Sequence, residues 1–308
     1  MKKITSCLAV VSTFLLFLFA TGCSDDDNDN VVNGNNEDIV EGPSSSDVLT
    51  VPVDASFLGD SIRYTKTFAL SEYKVKKVSV STTQNGYIAV LGGYKDQSAI
   101  YIYAKADDDE KGLNDEQIKN ILEKYYNVDS FVNDTEIVAN ITEKVNVSHG
   151  SDFHPLRISV KVFSPTNVST DLNIAKGSLV AKNVSGNKHT ANSNSGAIKY
   201  INSTGKNFTL NSDYGYIGLI NSGASESINT KVISGSIQLV LPKNAKTQLN
   251  LESLTRINAY ILNGSNFDGT NTSTKVAGKL NGGGYVLNAN SGKGIINLRW
   301  YENENTYY

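Results

Sequence analysis

A six-residue pattern, small-Gly-x-Ile-x-aliphatic, returns every 19 to 20 residues through the C-terminal half of this chain. Ser195-Gly196-Ala197-Ile198-Lys199-Tyr200 is one copy, Tyr214-Gly215-Tyr216-Ile217-Gly218-Leu219 the next, and Ser234-Gly235-Ser236-Ile237-Gln238-Leu239 the third. The Gly position falls at Gly177, Gly196, Gly215 and Gly235, then at Thr255, and about two periods later at Gly294. A period of this length predicts stacked β-coils, because one coil cannot bury its apolar face alone. The fold class that follows is all-β: a β-helix or β-solenoid with coils of about 20 residues and one short helical insertion.

The amino terminus carries an address. Met1-Lys2-Lys3 is a basic start, and Leu8 to Phe19 is an apolar run too short for a comfortable membrane span. Ala20-Thr21-Gly22-Cys23 closes it with small residues before a cysteine. This order resembles a bacterial lipobox. The resemblance implies cleavage of residues 1–22 and lipid attachment at Cys23, so that the membrane becomes a partner through the acylated cysteine. An ordinary signal peptide with an incidental cysteine is the plainer alternative. Cys7 would leave with the signal, and the one remaining cysteine could form no intrachain disulfide. Residues 23–47 are acidic and rich in Asn and Ser, too poor in apolar side chains to fold, and are expected to form a tether. Ser24-Asp25-Asp26-Asp27 resembles the surface-export signal of Bacteroidota-like lipoproteins, which implies the outer membrane and its outer face. A plain periplasmic spacer is the alternative.

Residues 48–165 are expected to form a β region with a helical insertion at 114–126. Gln84-Asn85-Gly86, between Val75, Val78, Val80 and Tyr87 to Val90, has the form of a hairpin turn. Ala99 to Ala104 reads as a strand rich in β-branched and aromatic residues. Asn114 and Gln117 form a capping box, and Leu113 can staple onto Ile118. Ile118, Ile121, Leu122 and Tyr125 then share one helix face, which suits a lid over an end or flank of the stack. Leu156, Ile158, Val160 and Val162 alternate as a half-buried strand ending at Pro165. Residues 166–300 form the solenoid proper, with Ile198, Ile217, Ile237 and Ile257 expected as an internal ladder. Phe208, Leu210, Ile228, Leu249 and Leu251 mark a second strand in each coil. Asn263 to Gly284 breaks the period, Tyr285 to Trp300 finishes the stack, and 301–308 is a tail.

A strand pair around a Gly in Tyr87 to Gly93, the strand ending at Pro165, the Gly-x-Ile steps, Leu280-Asn281-Gly282-Gly283-Gly284 and a final Ser291-Gly292 resemble, in this order, a bacterial β-strand-repeat family labelled "putative adhesin". The likeness covers about Val48 to Trp300. It implies a right-handed β-helix-like fold and a place at the cell envelope, and it brings no catalytic residues.

Charge separates the two halves. Between Leu172 and Trp300 thirteen Lys and Arg face four acids, Asp213, Glu226, Glu252 and Asp268, while residues 1–171 carry an excess of acids. The imbalance suits anionic partners, such as acidic glycans or lipopolysaccharide, with ordinary surface solvation as the alternative. Lys188, Lys199 and Lys206 fall at similar offsets and are the candidate contacts on a shared face. Tyr214 and Tyr216, with Tyr200 and Tyr260 behind them, are the candidate rings for sugar stacking, against packing in the stack. The scattered lysines accompany no aromatic-basic motif, so nucleic acid is not expected.

Catalysis has little support. His149 and His154 flank Asp152 on a loop, which is weak spacing for a metal pair; His189 stands apart. Four dispersed acids across the coils do not supply the clustered carboxylates of a β-helix carbohydrate-active enzyme, which leaves that class third. No cofactor is called for. The leading expectation is a non-catalytic, surface-exposed envelope lipoprotein that binds glycan or another envelope component. A structural or envelope-stress lipoprotein without a dedicated ligand is the alternative. A transmembrane barrel needs strands of about nine to eleven residues, longer than these coils suggest.

Overall fold

The computed structural model of the chain describes residues 62–107 and 112–302. All of these belong to one unit, Val40–Tyr308. The expectations for residues 1–47, Cys23 included, and for the tail from 303 lie outside the described residues.

The chain is a β-solenoid. Strands β1 (Ile62–Ala69), β2 (Lys77–Gly92) and β3 (Gln97–Ala106) come first. Helix α1 (Asp115–Tyr125) follows, then β4 (Tyr126–Val132), β5 (Glu136–Glu143) and β6 (Leu156–Ser164). Four long strands carry the repeat: β7 (Ser169–Lys182), β8 (Ser185–Ile201), β9 (Thr204–Ile220) and β10 (Gly223–Leu241). Shorter ones end the chain: β11 (Thr247–Ser253), β12 (Arg256–Ala259), β13 (Phe267–Asn271), β14 (Lys275–Leu280), β15 (Tyr285–Lys293) and β16 (Ile295–Trp300).

Each long strand is two arms joined at a glycine corner. In β9, Phe208, Leu210 and Ser212 are buried before the corner, and Ile217 and Leu219 after it. A regular strand keeps one face at steps of two, so the odd step from Ser212 to Ile217 needs an irregularity. The corner absorbs the extra residue and turns the apolar side of both arms toward one interior. Gly177, Gly196, Gly215, Gly235 and Gly294 all sit there with φ between 121° and 152°. Packing between coils makes the glycine obligatory a second time. A Cβ on Gly196 would lie 1.8 Å from the carbonyl oxygen of Gly177, and one on Gly215 would lie 1.9 Å from that of Gly196.

Gly86 is part of the same column. A Cβ on Gly177 would meet its carbonyl oxygen at 1.9 Å, and the two glycines are register partners. Asn85-Gly86 is therefore no hairpin turn: β2 runs through it unbroken and pairs in parallel with β7. Gly86 is required by close approach: a Cβ there would stand 1.9 Å from the Ile158 carbonyl oxygen of the neighbouring strand.

In-register parallel pairing stacks like on like. After the corner the buried row runs Val160, Ile88, Leu179, Ile198, Ile217, Ile237, Ile296 and then Ile257. Burying such a side chain completely stabilises by about 1.5–3 kcal/mol. Before the corner, Val78, Thr170, His189, Phe208, Ile228, Leu287 and Leu249 form the corresponding row. Both rows show that coil order in space differs from order in the chain. β15 and β16 lie between β10 and the earlier strands β11 and β12, so Ile237 stacks on Ile296 and not on Ile257. Tyr285 to Trp300 is the penultimate coil. The out-of-period stretch before it forms the antiparallel pair β13–β14, which covers the outer edge of β11. Thr255 stands at the glycine position of the terminal coil, and its hydroxyl accepts the Gly294 N–H at 3.2 Å.

The opposite end is built differently. β3 pairs antiparallel with both β1 and β6, and β4 antiparallel with β5. The Asn114 side chain accepts the Gln117 N–H at 3.0 Å, and the Gln117 side chain accepts the Asn114 N–H at 2.9 Å, which completes the capping box. Ile118, Ile121, Leu122 and Tyr125 are buried against β1, β3 and β4. Strand β6 departs from the half-buried expectation. Ser159, Lys161 and Phe163 are buried as well as Ile158, Val160 and Val162, because Tyr94, Tyr101 and Tyr103 cluster with Phe163 on its second face.

Candidate functional site

The outer face of the arms before the corner is a lattice of amides. Residues alternating with the buried rows project outward, and parallel register places them in columns at the strand spacing of about 4.8 Å. Asn173, Asn192 and Asn211 form one such column: Asn192 donates its amide to Asn173 Oδ1 at 2.8 Å, and Asn211 donates to Asn192 Oδ1 at 3.0 Å. Asn229, Asn288 and Asn250 form a second, with amide contacts of 2.8 and 2.9 Å. This second column passes from β10 through the later strand β15 to β11.

Where the two columns run side by side, the face opens into a groove of about 520 Å3. It spans β9, β10, β15, β11 and β14. Register extends the first column beyond Asn211 to Lys231, Asn290, Glu252 and Lys275. Glu252 and Lys275 form an ion pair at 3.2 Å. The second column ends against Ala277, the register partner of Asn250, whose short side chain leaves the space.

The candidate contact residues do not gather at one place. Lys188 and Lys206 are exposed before the corner on adjacent coils, where Lys188 pairs in register with Asn207. Lys199 lies after the corner and is half-buried, and desolvation lowers its pKa. The three lysines therefore do not share a face, because the glycine corner falls between 188 and 199. Tyr214 is 62% exposed beside the corner. Tyr216 lies after it and donates its hydroxyl to Gln238 Oε1, and burial pushes its pKa to about 12. Tyr200 is fully buried, whereas Tyr260 is exposed under the Arg299 guanidinium, 4.7 Å from the ring centre.

Tyr200 belongs to a polar group inside the stack. Its hydroxyl lies 2.7 Å from Thr170 Oγ1, which lies 3.0 Å from His189 Nδ1, and His189 Nε2 lies 3.0 Å from the Thr204 carbonyl oxygen. Nε2 also faces the Gly186 N–H at 3.3 Å; the shorter contact to the Thr204 carbonyl oxygen favours the proton on Nε2, with Thr170 donating to Nδ1 and Tyr200 to Thr170. A neutral imidazole is then fully satisfied, and its ring lies against Phe208 at 4.6 Å. Burial holds the pKa of His189 down at about 4.

The other histidine loop is engaged locally. His149 Nε2 lies 2.5 Å from Glu143 Oε1, and the ring stacks on Phe153 at 3.6 Å. Asp152 accepts from Lys124 and from the Tyr125 hydroxyl, each at 2.8 Å, and these contacts lower its pKa. Among the described residues no three His, Cys, Asp or Glu side chains gather to hold a metal, and no helix is long and apolar enough to cross a membrane.

Among proteins of curated function none matches the chain. Solved structures similar to it include a putative cell adhesion protein from Clostridium sporogenes, at 14% identity and a TM-score of 0.44, covering 78% of this chain and 99% of that one. A putative adhesin from Bacteroides fragilis is similar at 14% identity and a TM-score of 0.29, covering 78% and 98%. A putative lipid binding protein from Parabacteroides distasonis is similar at 12% identity and a TM-score of 0.28, covering 79% and 98%. The family model described as Toastrack DUF4097 matches residues 135–297, more than half of the sequence, and the chain belongs to that family.

Proposed function

We propose that this protein is a non-catalytic lipoprotein of the cell envelope, anchored through acylated Cys23 and displayed at the surface, whose coil stack binds acidic glycan. The observation that supports this is the outer lattice of amides and cations. Asparagine columns offer donors and acceptors at a fixed spacing on a rigid scaffold, and sugar hydroxyls need both. The excess of Lys and Arg between Leu172 and Trp300 adds attraction for carboxylates or phosphates over about 8–10 Å at physiological salt. The adhesin names of similar structures agree with such a role but belong to those proteins. An array of acidic and neutral glycans, read at low and high salt with the full chain in detergent, tests the binding. Salt-sensitive preference for acidic members is expected. Equal binding of acidic and neutral members, or none at low salt, leaves an envelope component without a dedicated ligand. Protease shaving of intact cells tests the display, with loss of the protein expected.

A further inference from the structure

We propose that the groove spanning β9, β10, β15, β11 and β14 is a subsite for an acidic sugar, whose carboxylate or phosphate is held at Lys231. This rests on the glycan-binding reading and assigns it a place. The first amide column satisfies itself from Asn173 to Asn211 and then stops. Asn211 donates within the column, which leaves its own Oδ1 as an acceptor on the side of Lys231. Lys231 and Asn290, the next two positions, are exposed and make no ion pair or side-chain hydrogen bond with the described residues. The position after them is Glu252, whose charge is already matched by Lys275. Lys231 is therefore the unmatched cation of the groove.

In the neighbouring column Asn288 donates to Asn229 and Asn250 to Asn288, which fixes the three side chains as a wall and leaves Asn250 Oδ1 as a second acceptor. Ala277 opens the space beside it. A volume of about 520 Å3 lies within the range of small-ligand sites, about 300–1,000 Å3. The chemistry on offer is the Lys231 ammonium, the Asn290 amide that can donate and accept, and the Oδ1 atoms of Asn211 and Asn250, with the Glu252–Lys275 ion pair at the edge. It matches an anionic group flanked by hydroxyls. No aromatic ring lines the groove, so recognition is polar and sensitive to salt.

The test uses the full chain in detergent with three probes: tri-galacturonate, mannose 6-phosphate and neutral galactotriose. Lys231→Gln is expected to weaken the preferred acidic probe by about tenfold, while Lys243→Gln, which removes the same charge from an exposed turn outside the groove, changes it by less than about twofold. Glu252→Gln, which releases Lys275, is expected to tighten the same probe. The acidic probe that is preferred tells carboxylate from phosphate. Equal effects of Lys231→Gln and Lys243→Gln, or no tightening in Glu252→Gln, would overturn the groove assignment while leaving glycan binding in place. No binding of these probes or of any array glycan would overturn both.

Discussion

Replacing Gly215 by alanine tests the corner on which the stack depends. Two costs add. The residue holds φ at +142°, a region that an L side chain enters at about 1–3 kcal/mol. The new Cβ would also stand 1.9 Å from the Gly196 carbonyl oxygen, 2.8 Å from its carbon and 3.0 Å from its nitrogen. Those atoms are backbone, so relief requires the two coils to part by more than 1 Å at the corner. Parting lengthens the flanking ladder hydrogen bonds, each worth about 1 kcal/mol net. The total is about 3–6 kcal/mol, a large share of the 5–15 kcal/mol that ordinarily holds a domain folded. Gly223→Ala is the matched control, because nothing lies within 4 Å of its Cβ position. Urea unfolding followed by far-ultraviolet circular dichroism and by the single tryptophan, Trp300, measures both. A Gly215→Ala midpoint within error of the Gly223→Ala midpoint would refute the argument that coil contact, and not chain flexibility, demands glycine.

Stability should also depend on pH through His189. Its pKa of about 4 in the fold lies below the ordinary 6.5, so the unfolded chain binds the proton first. The contribution is present in full above about pH 6.5 and is lost as pH falls toward 4, by about 3 kcal/mol. Urea midpoints across that window should show the loss, and His189→Phe should flatten it. Ile217→Asp or Ile237→Asp should cost about 4 kcal/mol or more by the same assay, since each places an unpaired charge in a fully buried row; a cost near zero would contradict the ladder. Asn114→Ala should lose about 1 kcal/mol with the capping box. Cys23→Ser should move the protein from the membrane fraction to the soluble one, because lipidation is the proposed anchor; retention in the membrane would contradict it.

The Gly-x-Ile spacing made the coils and their inward rows legible, because it repeats local chemistry at a constant interval, and the capping box of Asn114 and Gln117 made the helix legible. Gly86 was harder. A lone Asn-Gly between apolar runs fits a hairpin and a coil corner equally, and only its parallel partner Gly177 separates them. The place of Ile257 was hidden for another reason. Chain order does not say that a later coil inserts between two earlier ones, and the step of two periods to Gly294 was its only trace. The lysine offsets misled because the corner lies between Lys188 and Lys199, so similar offsets alone do not ensure a common face. His189 sits at a core position that Phe208 and Ile228 fill in the next coils, so aligning the repeats would have exposed it as a buried polar residue. The same alignment would have shown Asn173, Asn192 and Asn211 as a column. It would have missed the groove, which joins Lys231 to Asn290, Glu252 and Lys275 through the inserted coil.

That insertion underlies both the fold and the groove, and a pair of engineered cysteines measures it directly. Gln238 is the register partner of Asn297, and Asn297 of Asn258. Adjacent strands lie about 4.8 Å apart, within the Cα separation a disulfide accepts, whereas strands two apart lie at about 9.6 Å, beyond it. With Cys7 and Cys23 replaced by serine, Gln238→Cys/Asn297→Cys should oxidise readily and yield a 238–297 linked peptide by mass spectrometry. Gln238→Cys/Asn258→Cys should remain reduced under the same conditions. The reverse pattern would place the coils in chain order and dissolve the groove.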